Sequence, residues 1–196
     1  MRRFILSGLI IILILFLIQG CISSPGKRYY QLHTEGGKNL PGINKILMVE
    51  AVEVDKVYND YPLVYRLSPY ELNYYSYEFW IKKPGQMMQD AVVDYLSKSG
   101  AFKKVITGFL EGEPDLLLKA KVNKIEEFDR KDAWFAHLNM EMIIKTLKTG
   151  EIVLVHNFDR KKRLSAKKVA RVPIALSIIL EEELAKVVKQ LSEKFK

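Results

Sequence analysis

The period of the hydrophobic residues changes several times along this chain, and each change marks an element. The first stretch has no period: Phe4 to Ile18 is apolar throughout except for Ser7 and Gly8. A membrane-spanning helix needs roughly 20 apolar residues, so this run is short for a span. With Arg2 and Arg3 ahead of it, it has the charge pattern of a secretory signal peptide. Residues Ile22 to Pro41 contain glycine, serine, proline and asparagine and few apolar residues apart from Tyr29, Tyr30 and Leu32, and read as a tether with one small packed patch. Ile46 to Val52 is then a nearly continuous apolar run that suits a buried strand.

Beyond it the pattern alternates. Tyr61-Pro62 turns the chain into a short strand, Leu63 to Arg66, and Ser68-Pro69 turns it again into Glu71 to Trp80, the expected hairpin partner. Met87, Met88, Ala91, Val92, Tyr95 and Leu96 then recur at helical spacing from Pro84 to Lys98, with Pro84 suited to a helix start and Gly100 to its stop. Phe102 to Thr107 predicts a short strand. Gly108 to Pro114 is an acidic loop.

An antiparallel meander follows. Leu116, Leu118, Ala120 and Val122 share one face of its first strand, and Leu138, Met140, Met142 and Ile144 share one face of its second. Asp129 to Asp132 is the expected turn between them, with Glu126, Glu127, Asp129 and Asp132 facing water around it. Lys148-Thr149-Gly150 turns the chain into Ile152 to Asn157, whose polar tail extends to about Leu164. Val172-Pro173 opens a last helix with an apolar stripe of Leu180, Leu184, Val187, Val188, Leu191 and Phe195. The expected fold is α+β: a mixed, largely antiparallel sheet with two principal helices packed on it.

Composition narrows the function. The single cysteine, Cys21, excludes an internal disulfide framework. Three scattered histidines, His33, His137 and His156, have no partners at ligand spacing, so no metal site is expected. There is no Gly-rich phosphate loop, nucleophile elbow or H-E-x-x-H pair, and the reading is non-enzymatic, with no catalytic residue and no bound cofactor. The formal net charge is +8, and removal of residues 1–20 takes two arginines from it. The basic run Arg160, Lys161, Lys162 and Arg163, with Lys167 and Lys168, is a candidate contact for anionic headgroups or an acidic partner. Nucleic acid is not expected as a partner.

The lone cysteine falls after Ile18-Gln19-Gly20 and before Ile22-Ser23-Ser24. This resembles a bacterial lipobox, which implies cleavage before Cys21, a diacylglycerol thioether and an N-acyl chain (commonly palmitate) on it, and stable anchoring by more than one chain. Ile22 is not the aspartate that retains enterobacterial lipoproteins in the inner membrane, which favours the outer membrane. The chain therefore divides into a lipoprotein signal peptide (1–20), a lipidated tether (21–42) and a single domain (43–196).

All ten tyrosines lie between Tyr29 and Tyr95. Tyr29-Tyr30-Gln31-Leu32, then Tyr61-Pro62-Leu63-Val64-Tyr65-Arg66, then Tyr75, Trp80 and Pro84, then Ser99, Gly100, Phe102 and Val105 stand in a fixed order. In that order and spacing the chain resembles the auxiliary lipoprotein family of ABC-type transport systems. It departs from the family pattern at Tyr61, where an arginine is usual, and at Ile81, where an alanine is usual. The resemblance implies a periplasm-facing subunit without catalysis, lipid-anchored in the outer membrane, working beside an MCE-domain protein and its ABC transporter in envelope lipid transport. It would anchor or dock the periplasmic channel, and a homo-oligomeric ring is one assembly the analogy suggests. Tyr61, Pro62, Val64, Tyr65, Arg66, Tyr75, Trp80 and Pro84 are the candidate docking or fold-defining residues. Three rivals are a carrier holding an acyl chain in its own cavity, an envelope hydrolase, and a lipoprotein that assembles outer-membrane barrels.

Overall fold

A computed structural model describes residues 25–37 and 40–195. Cys21 and the apolar run before it lie outside the described residues. Among these residues the chain forms β1 (Arg28–Tyr30), β2 (Ile43–Val49), β3 (Glu53–Val54), β4 (Pro62–Ser68), β5 (Glu71–Trp80), α1 (Pro84–Lys98), β6 (Phe102–Ile106), β7 (Leu116–Asp129), β8 (Trp134–Thr146), β9 (Ile152–Arg163) and α2 (Val172–Lys194). Short 3₁₀ turns at Phe109–Glu111 and Val169–Arg171 precede β7 and α2.

The sheet is organised around β7. One edge of β7 pairs antiparallel with β8 over its whole length, and β8 pairs antiparallel with β9. The other edge is shared in succession by β2, β3 and β4, all parallel to it. β6 lies outside β2, while β5 and then β1 lie outside β4, so β1 and β6 end that path. The sheet is mixed as expected, and its antiparallel ladders are the long ones.

Both helices cover one face. Met88, Val92 and Leu96 of α1 and Leu176, Leu180, Leu184, Val188 and Leu191 of α2 are almost wholly buried. They pack with Leu118, Val122, Leu138, Met140, Met142 and Ile144 of the long ladder in one core. α1 stops where the sequence predicts. Gly100 takes a left-handed φ of 63°, which a residue with a Cβ adopts at a cost, and its N–H caps the carbonyl of Ser97 at 3.3 Å.

Three expectations are corrected. The run ending at Val52 is not one strand: β2 stops at Val49, and β3 resumes at Glu53 against the middle of β7. The expected tether carries structure. β1 pairs parallel with the end of β5, and Leu32 and Thr34 are buried between the helices. There Thr34 Oγ1 donates to Asp94 Oδ2 at 2.9 Å, and the His33 N–H donates to Ser177 Oγ at 3.1 Å. Finally, β7 runs through Glu126 and Glu127 to Asp129, and the turn is confined to residues 130–133. A long ladder partner on one side and Tyr65-Arg66 of β4 on the other hold that end of β7 inside the sheet.

Candidate functional site

The tyrosine-rich hairpin of β4 and β5 has two populations of side chains. Val64, Trp80 and Pro84 are buried, and Trp80 is 2% exposed. Pro62, Tyr65, Arg66 and Tyr75 are half-buried, whereas Tyr61 is exposed. The Tyr65 and Tyr75 rings pack with centroids 4.6 Å apart. Tyr70, at the turn, is 98% exposed, and Tyr74 and Tyr77 stand out at 49% and 39%. The motif residues that the sequence singles out thus mostly build the hairpin, and the aromatic surface falls largely to their neighbours.

A bulge decides what lies beneath. The β7–β8 register shifts between Val122 and Lys124, so Asn123 is an extra residue. Before it Leu118, Ala120 and Val122 face the core; after it Ile125 and Glu127 do, opposite Leu138 and Ala136. Glu126, the intervening residue, points to the other face beside His137. Both carboxylates are only 1% exposed, which corrects the expectation that they face water.

Glu126 is the centre of a polar network. Arg66 Nε donates to both of its oxygens at 2.9 Å, and Tyr58 Oη donates to Oε2 at 2.6 Å. Arg66 Nη2 in turn donates to Tyr58 Oη at 2.8 Å. His137 Nδ1 meets Glu126 Oε1 at 2.9 Å, while His137 Nε2 meets Asp159 Oδ1 at 2.6 Å. Both ring nitrogens are engaged by carboxylates, so neither is open to a metal or a substrate. Burial opposes ionisation of Glu126, but hydrogen bonds from His137, Tyr58 and Arg66 outweigh it and hold the carboxyl below the usual range. Burial also pushes the Tyr58 phenol up.

This network braces the hairpin. Arg66 Nη1 reaches the carbonyl of Pro69 at 3.4 Å, tying the turn that presents Tyr70 to the buried carboxylate. Tyr74 Oη donates to the carbonyl of Val57 at 3.0 Å and fixes the adjacent ring. β1 pairs with β5 only at Glu78–Trp80, so among the described residues 71–77 of β5 keep one edge unpaired. On the core side Tyr75 Oη donates to Glu127 Oε1 at 2.9 Å, and Glu127 Oε2 has no partner. Burial pushes the Glu127 carboxyl up to about 7; the Tyr75 hydrogen bond opposes this and Asp129 adds to it.

The basic run is divided by strand alternation rather than gathered into one patch. Arg160 and Lys162 face α2. Arg160 Nη1 lies 2.6 Å from Glu183 Oε1, and Lys162 Nζ lies 3.0 Å from Glu182 Oε1. Glu183, 2% exposed, also accepts from Lys186 at 2.7 Å and meets His156 Nε2 at 2.9 Å. Lys161 is on the opposite face, 4.4 Å from the Phe128 ring centre. Lys167 donates to the carbonyl of Lys131 at 2.7 Å, and Arg163 and Lys168 are exposed. An acyl-chain carrier would enclose its ligand; grooves of about 310 Å³ beside Leu32 and Ala91 and about 410 Å³ beside Leu40 and Ala185 open directly to solvent.

The family model described as ABC-type transport auxiliary lipoprotein component matches residues 30–188. The chain belongs to this family. As an ABC-type transport auxiliary lipoprotein it shares its fold with solved structures of low sequence identity. A protein from Xanthomonas campestris of the DUF330 family superposes with a TM-score of 0.73 at 17% identity, covering 85% of this chain and 97% of that one. An uncharacterized protein gives 0.64 at 17% identity, covering 88% and 100%. No curated protein matches the chain. The matched span takes in Tyr30, the whole hairpin, Glu126 and Glu183, so both buried carboxylate networks belong to the family domain. No helix among the described residues is long and apolar enough to cross a membrane.

Sequence reasoning missed Glu126, His137 and Asp159 as one network. The available signal was Ile125, an apolar residue out of phase with Val122, which marks the bulge. Two of the three partners of Glu126 lie 60 and 68 residues before it, at Arg66 and Tyr58, beyond any local pattern.

Proposed function

We propose that this auxiliary lipoprotein is a non-catalytic docking subunit of an envelope lipid-transport system, held in the outer membrane through acyl chains on Cys21 and facing the periplasm. Its partner is an MCE-domain protein whose channel is driven by an ABC transporter. The observation that supports docking is the braced aromatic tip. Tyr70 projects from a turn held by Arg66, with Tyr74 and Tyr77 beside it along an unpaired strand edge. Tyrosine supplies large contact area at low entropy cost, and a free strand edge supplies backbone donors and acceptors to an incoming segment. The imidazole closed between two carboxylates agrees with a structural rather than chemical use of the buried network.

The test is affinity purification of the lipidated chain from mildly solubilised native envelopes, with mass spectrometry of what remains bound. The reading predicts an MCE-domain protein, lost in Tyr70→Ser/Tyr74→Ser while thermal unfolding stays within a few degrees of the parent. Recovery of an outer-membrane barrel instead, or of stoichiometric phospholipid without protein, would overturn it.

A further inference from the structure

Where β1 joins the sheet, the structure presents a second surface, separate from the tyrosine tip. Tyr29 is the register partner of Phe79, and their rings lie 5.7 Å apart. Lys27 Nζ sits 5.3 Å from the centre of the Phe79 ring. Ile81, just past the strand, is 54% exposed. Glu78, the acidic residue before Phe79, is buried, paired with Arg28 and hydrogen-bonded by Tyr30, so it does not oppose a cationic face. Lys27 and Lys83 are exposed and have no carboxylate partner among the described residues.

We infer that this face, formed by Lys27, Tyr29, Phe79, Ile81 and Lys83, rests on the anionic lipid surface to which the chain is anchored. The inference rests on the lipid-anchored reading above. Six residues separate Cys21 from Arg28. The covalent chain limits that stretch to at most about 24 Å. The face is therefore held within one tether length of the headgroups. Tyrosine rings and lysines bordering an apolar patch are the residue types that settle at the bilayer interface, and each cation near an anionic surface adds attraction. The contact orients the domain. β1 and β6 end the strand path, so the exposed Phe109-Leu110 turn after β6 lies across the sheet from the membrane.

Cys21 is the chain's only cysteine, and in the lipid-anchored form its sulfur is a thioether, so an introduced thiol is a unique probe. Full-length lipidated Tyr29→Cys and Leu110→Cys chains are reconstituted into vesicles of phosphatidylethanolamine and phosphatidylglycerol, then labelled with a membrane-impermeant maleimide. The expected result is labelling about tenfold slower at position 29 than at position 110, with the difference reduced about fivefold or more by phosphatidylcholine vesicles or by Lys27→Glu with Lys83→Glu. Equal rates at the two positions, or slow labelling at 29 that ignores both lipid and protein charge, would overturn it. Peptide mapping scores the anchor separately. A free, labelled Cys21 contradicts the thioether anchor, and the ratio between positions 29 and 110 on the vesicle-bound chain still decides the face.

Discussion

Replacing Glu127 with glutamine should make the domain more stable above neutral pH and leave it nearly unchanged in mild acid. The carboxyl is 1% exposed, accepts one hydrogen bond from Tyr75 at 2.9 Å, and leaves Oε2 without a partner. Its folded value is about 7 against an ordinary 4.5, chiefly because burial disfavours the charge. Between those two values the folded chain holds a proton that the unfolded chain has released, so stability falls as pH rises through the window and the loss is complete above it. An elevation of this size corresponds to about 3 kcal/mol. Glu126, Asp94, Asp159 and Glu183 are all held below their ordinary values, so their contributions are lost only in more acid solution and do not mask the effect. Glutamine keeps an acceptor for Tyr75 and removes the charge. Denaturant unfolding at pH 5, 6, 7 and 8 should show the parent losing stability across the series and Glu127→Gln staying nearly level. At pH 8 the variant should melt about 6–10 °C higher. Parallel pH profiles for the two chains would refute the placement of a buried, proton-binding carboxyl at this position.

Other perturbations have different signatures. Arg66→Ala leaves Glu126 ionised, buried and short of its main partner, and should cost about 3–5 kcal/mol by denaturant unfolding; Arg66→Lys should recover part of it, because an ammonium cannot span both oxygens and Tyr58 at once. Trp80→Ala empties a fully packed position and should cost about 3–5 kcal/mol by the same assay. Gly100→Ala, at a φ of 63°, should cost about 1 kcal/mol, seen as a small fall in Tm without change in the folded spectrum.

Elements with a steady period were legible from sequence. α1 and α2 start at Pro84 and Val172-Pro173 as their prolines indicate, and the alternating faces of β7 and β8 up to Val122 and from Leu138 stand as read. What failed depended on long-range pairing. Asn123 shifts the register by one residue, and from there a local count assigns the wrong face. Glu126 and Glu127 looked solvated because charges beside a predicted turn usually are; they are enclosed by partners from β4, β5 and the segment before β4, some 50 to 70 residues earlier in the chain, as well as by β8. The segment 25–37 looked like a tether because its composition is polar. It is ordered by β5 and the helices, through bonds such as His33 to Ser177 across 144 residues. The family signature in the hairpin was readable, but the division into buried braces and exposed rings was not. Alternation alone does not place the register shift between Pro62 and Val64 that seats Tyr75 inward.

The most direct test of the docking account is site-specific photo-crosslinking in native envelopes, with a photoreactive residue at Tyr70 and, as control, at Gln190 on the exposed side of α2. The account predicts a crosslink from position 70 to an MCE-domain protein and none from position 190. A crosslink from position 70 only to a barrel protein or to lipid, or the MCE-domain protein captured from position 190 instead, would contradict it.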